Sequence, residues 1–101
     1  MLNGRVITFI RFRNGDELLT ELEAVAEYWR TKPGNISVEL VRSVDEPSLM
    51  ALIGRWENIG SYRRALGGQE GKLLLTPVLL HAVDEPTAYL PLGEAEAPLT
   101  F

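Results

Sequence analysis

The run Leu49-Met50-Ala51-Leu52-Ile53-Gly54 carries no polar side chain at any of its six positions. It falls far short of the roughly 20 apolar residues of a membrane-spanning helix, and the turn-forming residues Asp45-Glu46-Pro47-Ser48 stand just before it. It has the length of a strand, and a strand apolar at successive positions presents carbon to both faces of its sheet. Val78-Leu79-Leu80 shares the property. The fold must therefore cover both sides of a sheet, and the 101 residues are too few for a second substantial domain.

Local signals give the element order. Arg5 to Phe12 is rich in β-branched and aromatic residues and stops at Asn14-Gly15, a pair that accepts positive φ, so it reads as the first strand. Asp16 is expected to cap a helix in which Leu18, Leu19, Leu22, Val25, Ala26 and Trp29 recur at helical spacing, ended by Lys32-Pro33-Gly34-Asn35. Two strands follow, Ile36 to Val44 and Leu49 to Glu57. Asn58 is expected to cap a second helix with Ile59, Tyr62, Ala65 and Leu66 inward, broken at Gly67-Gly68. Residues 70–75 add a short turn of helix, and Thr76-Pro77 introduces a fourth strand, Val78 to Val83.

The order β-α-β-β-α-β describes an α+β, ferredoxin-like split βαβ sandwich with both helices on one face of an antiparallel sheet. The opposite face then needs cover, and a second copy of the same sheet supplies it, so a homodimer packed sheet to sheet is expected. Residues 1–84 form this domain. Residues 85–101 form a C-terminal extension, in which Thr87 to Leu92 read as an arm lying on the partner subunit and Gly93 to Phe101 as a loosely held end.

Composition narrows the function. Fourteen acidic residues against ten Lys and Arg give a net charge of -4, with no broad positive field for a nucleic acid. With no cysteine there is no thiolate nucleophile, disulfide or zinc-cysteine centre, and one histidine cannot build a His-rich metal site within a subunit. No glycine-rich stretch has the strand-turn-helix context of a phosphate loop. A soluble, cytoplasmic protein with no metal, no cofactor, no membrane partner and no nucleic-acid partner is the expectation.

The residues able to carry chemistry are few. Trp56 shares strand parity with Met50, Leu52 and Gly54, and the smallness of Gly54 leaves room beside the indole for a flat ligand. Tyr62 lies on the next helix's apolar stripe and faces the same space, so both rings either line one pocket or are core aromatics. His81 is either a base for a phenolic or carbon-bound proton or a structural histidine. Arg42 follows Val38 and Leu40 in parity and interrupts an apolar face, which suits an anchor for a carboxylate or phenolate as well as a salt bridge. Glu39 is a base if desolvated and otherwise pairs with a cation.

The element order, together with Trp56-Glu57-Asn58-Ile59-Gly60-Ser61-Tyr62 after the apolar third strand, resembles the antibiotic biosynthesis monooxygenase family over residues 4–84. The resemblance implies a dimeric α+β barrel with a pocket between sheet and helices. It also implies oxidation of quinol-like or polyketide-type aromatics by dioxygen without metal or flavin. Trp56 followed six positions later by Tyr62 resembles the pair assigned to that pocket, whereas Leu52 stands where the pattern has an asparagine. Residue reading and resemblance together make Trp56, Tyr62, His81 and Arg42 the catalytic candidates, and Met50, Leu52, Gly54, Trp56 and Tyr62 the binding ones. Homologous folds also include haem-degrading enzymes, whose helix histidine has no match here. Two other readings stay open: a non-catalytic binding or accessory protein, and a cyclase or isomerase on a related substrate.

Overall fold

The computed structural model describes residues 4–93. Its elements are β1 (Val6–Phe12), α1 (Leu19–Arg30), β2 (Asn35–Arg42), β3 (Met50–Trp56), α2 (Ile59–Leu66), α3 (Gly68–Leu79) and β4 (Ala88–Tyr89). The strands form one antiparallel sheet in the order β2-β3-β1-β4. This is the ferredoxin-like α+β architecture expected from the sequence.

Strand parity decides what each side chain meets. Val6, Thr8, Ile10 and Phe12 of β1 point toward the helices, as do Met50, Leu52, Gly54 and Trp56 of β3, and these positions are buried. Helix α1 covers them with Leu22, Val25, Ala26 and Trp29, the stripe read from the sequence. The alternate positions, among them Ile7, Phe9, Ile53 and Val41, lie on the face that no helix among the described residues covers. That face is apolar in the middle. Arg11 grips Glu85 through Nε at 2.7 Å and a second nitrogen at 2.6 Å at one side, and Arg55 meets Glu39 at 3.3 Å at the other. Glu39 is thus an exposed ion-pair partner. No helix among the described residues is long and apolar enough to cross a membrane.

Two local expectations hold. Asn14 adopts φ 59° in the turn after β1. The Asn58 side chain accepts a 2.9 Å hydrogen bond from the Ser61 amide and caps α2. Asp16 does not cap α1: Leu18 holds that position without a side-chain cap, and the Asp16 carboxylate instead pairs with Arg42 at 2.9 Å.

The fourth strand is not where the sequence suggested. Residues 68–79 form α3, whose buried positions Gly71, Leu75 and Val78 repeat at helical intervals, while Leu73, Leu79 and Leu80 are exposed. A three-residue apolar run does not distinguish strand from helix by periodicity, and here the preceding Leu74 and Leu75 extend the helix across Pro77. The chain then returns along β1. Ala82 bridges Phe12, the Val83 amide donates to Arg11 O at 2.8 Å, and regular pairing resumes at Ala88–Tyr89. Asp84-Glu85-Pro86 interrupts this edge, as the missing amide of Pro86 requires. Within the segment expected as an arm, Ala88 and Tyr89 pair with Thr8 and Ile7 of their own chain's β1. The expected loose end, from residue 94 onward, lies outside the described residues.

Candidate functional site

The site is built where β3 turns into α2. Alternation along β3 puts Trp56 inward at its last position, and the Asn58 cap starts α2 so that Tyr62 falls one turn later on the inward stripe. Trp29 arrives from the last turn of α1. The ring centroids of Trp56 and Tyr62 are 5.6 Å apart, and Trp29 stands edge-on to both, at 5.3 Å from Trp56 and 5.9 Å from Tyr62. These separations are within the range of favourable aromatic pairing. Both tryptophans are fully buried and Tyr62 nearly so.

Polar atoms within the cluster are mostly committed. Trp56 Nε1 donates to Thr8 Oγ1 at 3.2 Å, and the Thr8 hydroxyl donates to Gly54 O at 3.3 Å. Burial pushes the Tyr62 phenol above its usual pKa, opposed by a hydrogen bond with Thr87, so the phenol stays protonated at neutral pH and serves as a hydrogen-bonding group. Trp29 Nε1 is buried and has no partner among the described residues.

Gly54 does not leave the open space expected beside the indole. A Cβ there would stand 2.7 Å from Trp56 Nε1, 2.8 Å from Thr8 Oγ1 and 3.3 Å from Trp29 Cε3. The absent side chain makes room for groups of this chain. Leu52 is fully buried in the same inner face.

An open groove of about 570 Å³ runs between α1 and the β2–β3 edge, with Leu19, Ala26, Leu40 and Met50 among its lining. Charged residues at its margin are Glu23, Glu27, Arg30 and Arg42. Arg30 pairs with Glu27 at 3.1 Å and donates to Val38 O at 3.1 Å, while Arg42 holds Asp16 and donates to Pro47 O at 2.7 Å. Of the sequence candidates, Met50 and Arg42 share this groove, and Trp56, Tyr62 and Gly54 share the aromatic cluster.

His81 joins neither group. It lies in the turn after α3 with an exposed side chain, and its carbonyl accepts the Arg13 amide at 3.1 Å. The expected position on the fourth strand, Val78 to Val83, is corrected by the extension of α3 to Leu79.

Trp29 and Thr8 were not singled out from the sequence as site residues. Trp29 looked like the last member of an ordinary helix stripe. The signal for Thr8 was present: it is a lone hydroxyl on the apolar parity of Val6, Ile10 and Phe12, the kind of buried polar group that requires a partner.

An antiparallel ferredoxin-like sheet with a Trp–Tyr pair at its β3–α2 corner defines the class. Residues 5–72 match the antibiotic biosynthesis monooxygenase family, and the chain belongs to it. Among solved structures it is similar to Rv0793 from Mycobacterium tuberculosis, at 21% identity and TM-score 0.73 over 91% of this chain and 99% of that one. It is also similar to SnoaB, a cofactor-independent oxygenase from Streptomyces nogalater, at 20% identity and TM-score 0.73 over 94% and 98%. A conserved protein of unknown function from Bacteroides thetaiotaomicron matches at 11% identity and TM-score 0.71 over 88% and 95%. No curated protein matches the chain significantly.

Proposed function

We propose that this protein is a cofactor-independent monooxygenase that oxidises a reduced aromatic, quinol-like or polyketide-type small molecule with dioxygen. The observation that carries the reading is the buried Trp56–Tyr62 contact, in a chain of this family. Similarity to the oxygenase SnoaB supports the same direction.

The balance for an anthrone-type substrate is one ring CH2 plus dioxygen giving a ring carbonyl plus water. One oxygen atom forms the new carbon–oxygen bond. The other leaves as water with both hydrogens, so carbon supplies the four electrons. The substrate anion is the reductant, and the protein's part is to favour that anion, exclude water and hold one geometry. Trp56 and Tyr62 shape the aromatic site, with the protonated Tyr62 phenol as a hydrogen-bonding group. Arg42, held by Asp16 in the groove beside Met50 at the opposite end of β3 from Trp56, is left out of the site. His81, exposed on the turn after α3, is left out of the site.

The reading includes a homodimer in which the helix-free sheet faces pack together, supported by the half-buried Ile7, Phe9 and Ile53 on that face. A second reading, small-molecule binding without turnover, is favoured by the aliphatic Leu52 and by the filled space at Gly54. The test incubates the purified protein with a panel of quinols and anthrones, aerobically and anaerobically, and measures product mass. Oxygen gain above the uncatalysed rate that falls in Trp56→Phe and Tyr62→Phe supports the oxygenase. A product of unchanged mass points to a cyclase or isomerase, and saturable binding with ligand recovered intact points to the second reading.

A further inference from the structure

We infer that Trp29 is a positioning residue whose indole N–H donates a hydrogen bond to an oxygen of the bound aromatic ligand. This rests on the monooxygenase reading for where the ligand sits, and it adds a donor on α1 to the β3–α2 pair.

The argument begins with satisfaction of buried polar groups. A fully buried indole N–H without an acceptor is costly, and native structures leave few such groups. The other indole of the cluster has a partner: Trp56 Nε1 donates to the Thr8 hydroxyl, which itself donates to Gly54 O. Trp29 Nε1 is therefore the uncommitted indole donor of the cluster among the described residues. Indole donates and does not accept, so its partner must be an acceptor.

Position selects the kind of acceptor. Trp29 stands edge-on to both Trp56 and Tyr62, so its ring belongs to the same aromatic space. Leu52, on the inner face of the same sheet, brings no donor to that space. The groove runs close by on α1: Ala26, one helical turn before Trp29, and Arg30, the residue after it, both line it. Trp29 itself is fully buried and does not line the groove, so a flat ring meets the indole edge only when the cluster opens toward it. A carbonyl or phenolate oxygen on that ring accepts the N–H, and an N–H aimed at such an oxygen favours the anionic form as charge develops on it. The ligand class is thus an aromatic ketone, phenol or enol, as opposed to a plain hydrocarbon.

The test uses anaerobic binding, independent of turnover, with anthrone and its deoxygenated counterpart dihydroanthracene as probes. Indole N–H resonances are followed in proton–nitrogen spectra and assigned with Trp29→Phe and Trp56→Phe. In the free protein the Trp29 resonance lies upfield of the hydrogen-bonded Trp56 resonance. Anthrone moves it downfield and dihydroanthracene does not, and Trp29→Phe weakens anthrone about tenfold while leaving dihydroanthracene unchanged. The inference is overturned if anthrone shows no saturable binding, or if the Trp29 resonance is already downfield and stays there on anthrone addition. Equal weakening of both probes by Trp29→Phe also overturns it. Should that variant not fold, the titration of the native protein decides. Oxygen incorporation failing while the Trp29 resonance responds to anthrone refutes the monooxygenase reading and leaves this inference standing.

Discussion

Replacing Gly54 by alanine tests the packing of the ring cluster most sharply. The new methyl would stand 2.7 Å from Trp56 Nε1 and 2.8 Å from Thr8 Oγ1, closer than carbon approaches either atom, and 3.3 Å from Trp29 Cε3. Both close neighbours belong to the buried Trp56–Thr8 hydrogen bond, so relief by moving either one stretches that bond. Overpacking a core costs about 1–3 kcal/mol, and loss of a hydrogen bond adds about 1 kcal/mol. Gly54→Ala is therefore expected to destabilise by about 2–4 kcal/mol. At about 4–8 °C per kcal/mol for a domain of this size, that lowers Tm by about 10–30 °C.

The assay is reversible thermal and urea unfolding, with Gly67→Ala as the control. Gly67 has φ -79° and its nearest contacts for a Cβ are 3.5 and 3.9 Å away, so its substitution is expected to change stability by less than about 0.5 kcal/mol. Thr8→Ala removes one of the clashing atoms and should make the double variant less unstable than the sum of the singles. A Gly54→Ala protein as stable as the native one would refute the reasoning. It would mean that open space lies beside the Trp56 indole.

Four further outcomes are expected. Ile53→Glu places a charge on the helix-free face and should convert the proposed dimer to a folded monomer, read by light scattering on a sizing column; a native monomer would contradict the dimer. Arg11 holds Glu85 below the usual carboxylate pKa, so the advantage of the native protein over Glu85→Gln is present above pH 4.5 and lost as pH falls through the lowered value. Unfolding followed against pH checks this, and a constant difference would contradict it. The raised Tyr62 pKa means that the folded state loses stability as pH rises from 10 through that value, and phenolate absorbance should show one of the three tyrosines ionising late, a signal absent in Tyr62→Phe. Asn58→Ala should cost about 0.5–2 kcal/mol through loss of the α2 cap, with near-native activity as the mark of a purely structural role.

Most of the fold was legible because its elements are long or punctuated. β1 is followed by a turn residue, Asn14, that does adopt positive φ, α1 shows a full stripe at helical spacing, and Asn58 does cap α2. The last third was harder to read. A proline before a short apolar run looks like a strand entry, yet burial at Gly71, Leu75 and Val78 makes the segment helical, and Pro77 sits in the helix's last turns. The edge strand that replaces it is only Ala88–Tyr89, held in part by Glu85 on Arg11, a pairing distant in sequence with no periodic trace.

At the site, parity and stripe together placed Trp56 and Tyr62 on one side of the sheet. They did not show Gly54 filled by Thr8 and the indoles, because what occupies the space over a glycine comes from another strand and another helix. His81 went astray with the strand it was assigned to. Trp29 illustrates the converse: its stripe position was plain, but an indole N–H without an acceptor is visible only after all neighbours are in place.

The central claim is that dioxygen reacts with an aromatic substrate at the Trp56–Tyr62 corner. It is tested most directly by incubating the purified protein with the quinol and anthrone panel under isotopically labelled dioxygen and weighing the products. The account predicts one labelled oxygen per product molecule, formed faster than in buffer, and slowed in both Trp56→Phe and Tyr62→Phe. Unlabelled product, or labelled product formed at the buffer rate by native protein and variants alike, would contradict it.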